Sequence, residues 1–396
     1  LAAKPEPARL RIERLEPTPL FPKAAAGRPL MQRALLHLVN DGAPVAASVT
    51  IRMGGSRPYT EDLGVVAGGK SASPVSIPDI AAPSKVKLSL QEKGSKRLLE
   101  TREFAWEAQK KWKIYSITYS HHDLGYGDYP HRLRTTIRHA NIELPLKFCT
   151  ATDGWDEDSK FRFIIETGEP LTSFLSSHTE ADARELARRV REGRIQIGAL
   201  HSTVNSEQLS HELLARLFYI SGRHARDLLG IPQSRTAVMD DVIGLTWPLA
   251  SAIKEAGIPY FFHGHNGCSS SLKPAQSEPL FYWQAPDGDE RNRALVRSTP
   301  YGGYNGDALG AADEARVLKL IGTIGAKWPF PSLLLQDGTD FQLVTMENAE
   351  KIHAWNRKYS YPRMICATLD MFFDDLAASL KPGQVKSFAK DANNQW

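Results

Sequence analysis

The sequence predicts an α/β fold preceded by a small antiparallel β-sandwich. Three observations carry that expectation. Short alternating strands with Gly/Pro turns occupy the first part of the chain, apolar strands then alternate with helical stretches, and acids and histidines gather where those later strands end.

The sandwich is read first. From about Arg28 to Ala108 the stretches ALLHLV, ASVTIRM, VKLSLQEK and LLETREFAW are separated by DGAP, GGSRP, GGKSASP and EKGSK. Strands this short, with turn residues and no helical period, predict an immunoglobulin-like domain over residues 1–110 in which nothing points to catalysis. After KKWK the rhythm changes, and residues 111–396 are expected to form a catalytic domain of βα units. A length of 396 residues suits two domains at about 100 to 200 residues each.

Within the second part, His178 to Leu200 reads as one αβ unit. Thr179 caps a helix, EADARELARRVRE has apolar residues at helical spacing and basic residues late, Gly193 stops it, and RIQIGAL is the next strand. Other strands are KIYSITYS, FRFIIE, RTAVMD, IPYFFHG, ALVRST, PSLLLQ and PRMICATLD, with SEQLSHELLARLFYISGRHARDLLG and TWPLASAIKEAG as helices between them. Composition sets further bounds. With 42% hydrophobic and 24% charged residues and no apolar run long enough to cross a bilayer, no membrane span is predicted. A charge of +4, with no basic block beyond pairs such as Lys110-Lys111 and Arg188-Arg189, argues against a nucleic-acid partner. Cys149, Cys268 and Cys366 are odd in number and lack C-x-x-C spacing, so they imply neither a disulfide framework nor a cysteine zinc site. The small, proline-rich start Leu1-Ala-Ala-Lys-Pro-Glu-Pro resembles what signal cleavage leaves, and a secreted or periplasmic location is expected.

In parallel α/β architectures functional groups lie past the carboxyl ends of the strands. Here those ends carry His121 and Asp123; Glu166 and Thr167; His201, Asn205 and Glu207; Asp240 and Asp241; His263 and His265; Thr299 and Tyr301; Asp337 and Asp340; Thr368 and Asp370. In SITYSHHD the period of two puts His121 and Asp123 on one side and His122 on the other, so a nitrogen and a carboxylate oxygen point the same way, as metal ligands must. In VMDDVIG two neighbouring acids cannot both face a site from a regular strand, so one is expected inward and the other at a cap or in solvent.

With these two stretches side by side, the chain from about Lys111 onward resembles the amino-terminal catalytic domain of glycoside hydrolase family 38, the α-mannosidases, in a divergent branch. The motifs are Ser120-His121-His122-Asp123-Leu124-Gly125-Tyr126, then Asp241-Val242-Ile243-Gly244 with Glu255-Ala256-Gly257, and a weaker echo in Asp337-Gly338-Thr339-Asp340-Phe341. The resemblance implies an irregular seven-stranded β/α barrel, one zinc ion held by His121, Asp123 and Asp241, and Asp241 as the nucleophile of a retaining hydrolase of α-linked sugars. The family takes a fourth zinc ligand, a histidine, from a later helical domain. A segment beyond Trp396 is therefore expected to complete the site, with His263 or His265 as local substitutes, and His265 is taken into the ligand set. The acid is sought in STPYGGYNGDALG, where Asp307 is the only carboxylate, with Glu207 competing.

Tyr126 stands where the family has Trp, and His122 where it has a smaller polar residue, so the sugar subsite is expected to differ. Tyr126, Tyr129, Trp155, Trp247, Tyr282, Trp283, Tyr301 and Tyr304 are candidates to stack on sugar rings, with Tyr126, Tyr301 and Tyr304 as substrate-binding residues and Trp247 and Trp283 also readable as core. Arg297 suits an acidic sugar. The expected partner is an oligosaccharide or polysaccharide. Two other readings compete: a metal-dependent polysaccharide lyase acting on uronic acids, with Tyr301, Tyr304 or a histidine moving the protons, and a carbohydrate-binding relic without catalysis.

Overall fold

The computed structural model describes residues 9–25, 27–121, 123–242, 244–266, 279–289, 291–300, 314–325 and 327–391. The chain divides into two compact units. The first holds residues 1–113, 318–327 and 355–363, and the second holds the rest.

The first unit is built from β1 (Leu10–Pro17), β2 (Phe21–Pro22), β3 (Met31–Asn40), β4 (Val45–Met53), β5 (Tyr59–Val66), β6 (Gly69–Pro78), β7 (Ser84–Glu92) and β8 (Leu98–Trp106). Two antiparallel sheets, β1-β3-β6 and β5-β4-β7-β8, share one core. Alternation explains it. Val49, Ile51 and Met53 of β4 pair with Leu90, Leu88 and Val86 of β7, and their side chains meet Ala34, Leu36 and Leu38 of β3 inside, while the residues between them face outward.

The first unit also holds β17 (Tyr359–Tyr361), which pairs with β2. The second unit contains β9 (Lys113–His121), β10 (Phe163–Ile165), β11 (Ile195–Ile197), β12 (Thr236–Val242), β13 (Tyr260–His265), β14 (Leu280–Gln284), β15 (Arg293–Pro300), β16 (Ser332–Asp340), β18 (Arg363–Ala367) and β19 (Ser387–Phe388). The expected closed barrel is not formed as one hydrogen-bonded ring. The strands fall into two sheets, β11-β10-β9-β16 with β18 against β9, and β12-β13-β15-β14-β19. The β9-β10-β11 and β12-β13-β15 runs are parallel, and β14, which the sequence reading missed, is antiparallel to β15.

Helices cover these sheets as their patterns dictate. Over Glu180–Arg191 the Thr179 hydroxyl accepts from Asp182 N while the Asp182 carboxylate accepts from Thr179 N, a reciprocal cap that satisfies two otherwise unpaired donors. The long helix expected from Ser206 is broken. A 3₁₀ turn (Ser206–Gln208) precedes a helix capped by Ser210 (His211–Arg223), which runs into a π turn (His224–Leu228). Helix Leu369–Ser379 closes the lower ends of both sheets. Asp370 accepts from Gln196 of β11 (2.9 Å) and Thr236 of β12 (2.6 Å), Asp374 accepts from Tyr260 of β13 (3.0 Å), and Asp375 accepts from Ser332 of β16. The carboxyl ends of the strands are left for the site.

Candidate functional site

The two faces of β9 have different partners. Ser116, Thr118 and Ser120 bond Asn348, Asp337 and Asn141, whereas Tyr119 and His121 face the opposite way, toward Asp240 and Glu166. His121 is buried, and its Nδ1 lies 2.9 Å from Oε2 of buried Glu166, whose Oε1 accepts from Thr203 at 2.8 Å. With Nδ1 so engaged, Nε2 is turned toward Asp123 Oδ1 (3.3 Å) and Asp241 Oδ2 (3.9 Å). These three residues offer one ligand atom each, all within 4.8 Å of one another. In a tetrahedral zinc site with bonds of about 2.0 to 2.2 Å, ligand atoms stand about 3.4 Å apart; the His121–Asp123 pair already has that spacing, and Asp241 would close in on it around a small divalent cation. Nitrogen plus carboxylate oxygens is also a donor set that zinc accepts.

Electrostatics tie the pair beneath together. Burial works against charge on His121, but the Glu166 carboxylate and the hydrogen bonds that the imidazole makes to Asp123 and Glu166 prevail and hold it well above its ordinary value. Burial likewise pushes Glu166 up, yet His121, Thr203 and Arg138 hold it below the usual carboxylate range. A carboxylate behind a ligating imidazole fixes which nitrogen faces the metal. Glu166 appeared in the sequence only as one of many polar strand ends.

Asp241 reaches the group through a defect in its strand. Pairing of β12 with β13 shifts register between Asp240 and Val242, and Asp241 takes φ +56°, the left-handed region that a side chain other than glycine occupies at a cost of about 1–3 kcal/mol. The bulge overturns the expectation that one of the two acids meets solvent. Asp240 is fully buried and accepts from Tyr119 Oη at 2.9 Å, while Asp241, largely buried, accepts from Asn266 Nδ2 at 2.5 Å. The extra residue lets both acids turn inward.

A further acid comes from β16. Gln336 donates to Tyr119 Oη at 3.1 Å, and a Cβ on Gly338 would lie 2.7 Å from the Tyr119 ring, so even-numbered positions of this strand face the Tyr119 and His121 side. Asp337 points the other way, accepting from Thr118 at 3.1 Å. The same alternation aims Asp340 inward at the strand end, which Phe341 N locks to His121 O at 3.2 Å. The sequence placed Asp340 among the polar strand ends without offering it as the acid; reading PSLLLQDGTDF at period two sets it on the side opposite Asp337.

The other sequence candidates fare differently. Glu207 lies exposed on the 3₁₀ turn. Asp307, Tyr301, Tyr304 and His122 lie outside the described residues. His265 is buried on the helix side of β13. Phe261, in the core packed against the neighbouring helices, stacks on His263, and both His263 and His265 meet Ser298 Oγ through Nδ1 (3.3 and 3.4 Å), while Gly264 between them faces Asp240. Alternation thus turns His265 away from the group that His121, Asp123 and Asp241 form. Arg297 is buried, donates to Pro279 O and Ser298 O, and lies over Trp328. Tyr126 and Tyr129 are exposed, Tyr126 lying 5.9 Å from Phe341 and Tyr129 stacking on His131. Trp283 is core, Trp247 packs on that core, Trp155 stacks on His353 and Tyr282 on Arg293.

A family model, the glycosyl hydrolases family 38 N-terminal domain, matches residues 111–394. Among solved structures, the chain is similar to an α-mannosidase from Enterococcus faecalis V583 (16% identity, TM-score 0.56), covering 71% of this chain and 31% of that one. It is also similar to a protein in glycosyl hydrolase family 38 from Enterococcus faecalis (15% identity, TM-score 0.49), covering 72% of this chain and 29% of that one. The chain thus spans about a third of the length of these proteins. No curated protein matches it in sequence.

Proposed function

The chain belongs to glycosyl hydrolase family 38 through the N-terminal domain of that family, and on this premise we propose that it is a zinc-dependent retaining glycoside hydrolase acting on α-linked sugars of an oligosaccharide or polysaccharide. The observation that carries the reading is the convergence of His121, Asp123 and Asp241 to within 4.8 Å from two different sheets. These three residues would hold the ion. When bound, the cation supplies Lewis-acid anchorage for sugar hydroxyls and favours an oxocarbenium-like transition state.

The chain's own residues then carry the chemistry. An Asp241 carboxylate oxygen bonds to the anomeric carbon as the bond to the leaving oxygen breaks, and Asp340 gives its proton to that oxygen. Water next attacks the anomeric carbon, its proton passes to Asp340, and Asp241 departs, so configuration is retained. Glu166 holds His121 in place throughout. Tyr126, beside Phe341, offers a ring face to the sugar.

The architecture is read in the same way. Ala199 N bonds Thr236 O (3.1 Å) where β11 meets β12, and Thr299 bonds Gln336 (2.9 Å) where β15 meets β16. These links support a seven-stranded irregular barrel of β9, β10, β11, β12, β13, β15 and β16 that is open at two seams. The three-plus-four strand sandwich ahead of it is read as immunoglobulin-like, with the catalytic domain beginning near residue 111.

The test is a panel of aryl α-glycosides and uronic-acid oligosaccharides incubated with zinc-loaded protein, with the first-formed anomer followed by NMR. Hydrolysis with retention supports the proposal. Inversion, an unsaturated ultraviolet-absorbing product, or no turnover on any member contradicts it.

A further inference from the structure

The ligand group is divided between sheets. His121 ends β9 and Asp123 follows it, on the sheet that also contains β16, whereas Asp241 lies in the sheet containing β12 and β15. A cation demands ligand spacing within a few tenths of an ångström, so the two sheets must be held at a fixed distance near their carboxyl ends. At the opposite ends helix Leu369–Ser379 does this. Beneath the site a different connection spans the gap. Thr299 Oγ1 of β15 donates to Gln336 Oε1 of β16 (2.9 Å), Gln336 Nε2 donates to Tyr119 Oη of β9 (3.1 Å), and Tyr119 Oη donates to Asp240 Oδ2 of β12 (2.9 Å). The chain of bonds therefore crosses between the sheets twice and ends on the residue beside Asp241.

Two glycines make room for it. A Cβ at Gly264 would fall 1.5 Å from Asp240 Oδ1, and one at Gly338 would fall 2.7 Å from the Tyr119 ring. Tyr119 and Asp240 are both buried, where hydrogen bonds are strong and their loss is costly.

We propose that the buried relay Thr299–Gln336–Tyr119–Asp240 is a positioning device that sets the separation between the His121/Asp123 and Asp241 halves of the cation group. It rests on the reading of those three residues as metal ligands. Its action is geometric: removing one link lets the sheets move apart where the ligands must meet, without removing any ligand.

The test uses the full chain, with zinc affinity by titration calorimetry and the visible absorption of the cobalt-substituted protein, which reports coordination geometry. Tyr119→Phe keeps the ring against Gly338 but removes the hydroxyl, and it is expected to weaken zinc binding about tenfold and to shift the cobalt bands. Asp240→Asn keeps an oxygen that accepts from Tyr119 and is expected to stay within about threefold of wild type. If Tyr119→Phe binds zinc as wild type does while His121→Ala and Asp241→Ala lose it, the positioning role is wrong and the metal site stands. If Asp240→Asn loses as much as Tyr119→Phe, charge and not spacing is at work, and the proposal fails. If His121→Ala and Asp241→Ala also bind like wild type, the cation reading falls and takes this one with it. Should Tyr119→Phe not fold, Gln336→Leu, which spares the Tyr119–Asp240 bond, decides: weaker zinc binding supports the relay and unchanged binding overturns it.

Discussion

The Asp240 carboxylate occupies the space that any side chain at position 264 would need, since a Cβ on Gly264 would lie 1.5 Å from Asp240 Oδ1. The glycine on β13 and the acid on β12 are register partners, so neither can shift without disturbing the bulge that carries Asp241. Gly264→Ala is therefore expected to destabilise the fold by about 1–3 kcal/mol, the usual range for overpacking, and to weaken zinc binding. Thermal unfolding and calorimetry on the purified variant check it, and wild-type values in both would contradict this packing.

Glu166 bears on the site through its bond to His121. Glu166→Gln keeps the size but replaces a charge-assisted bond to Nδ1 (2.9 Å) with a neutral one. Zinc affinity is expected to fall by about 10- to 100-fold, with circular dichroism unchanged, because loss of the partner behind a ligating imidazole has effects of that size.

If Asp340 is the acid, Asp340→Asn should cut kcat by about 10²- to 10⁴-fold on substrates with poor leaving groups and far less on those that leave unaided. Asp307→Asn and Glu207→Gln, made in parallel, are expected to keep near-wild-type rates. Steady-state kinetics against leaving-group pKa separates the three.

Away from the site, Asp337 gives a pH signature. Burial, opposed by its bond to Thr118 and by Lys351, pushes its carboxyl up to about 6. A raised folded value means that the native state binds the proton more tightly than the unfolded chain. Stability from this group is thus present below the unfolded value of 3.8 and is lost as pH rises toward 6. Asp337→Asn should be close to neutral at pH 4 and stabilising by about 1–2 kcal/mol at pH 8, which urea unfolding at the two pH values measures.

Much of this was legible in the sequence because it depends on local period. β9, β12, β13 and the capped helix Glu180–Arg191 follow alternation, apolar spacing and Thr179, all visible in the letters. Pairing His121 with Asp123 needed only an extended strand. What the letters hid depended on long-range registry. The bulge at Asp241 arises from its pairing with β13, so the same alternation rule that worked at His121 failed at Asp240. The sheet break is set by which strands meet, and the orientation of His265 by which face of β13 the helices cover. Glu166 was hidden for a simpler reason: a strand-end glutamate looks the same whether it meets solvent or an imidazole 45 residues earlier.

The most direct measurement is the zinc content of the full chain after dialysis, taken beside His121→Ala, Asp123→Ala and Asp241→Ala. One equivalent in the wild type and a clear deficit in all three variants, each folded by circular dichroism, is the predicted result. Equal zinc in all four proteins, or none in the wild type under saturating metal, would contradict the proposal that these three side chains share an ion.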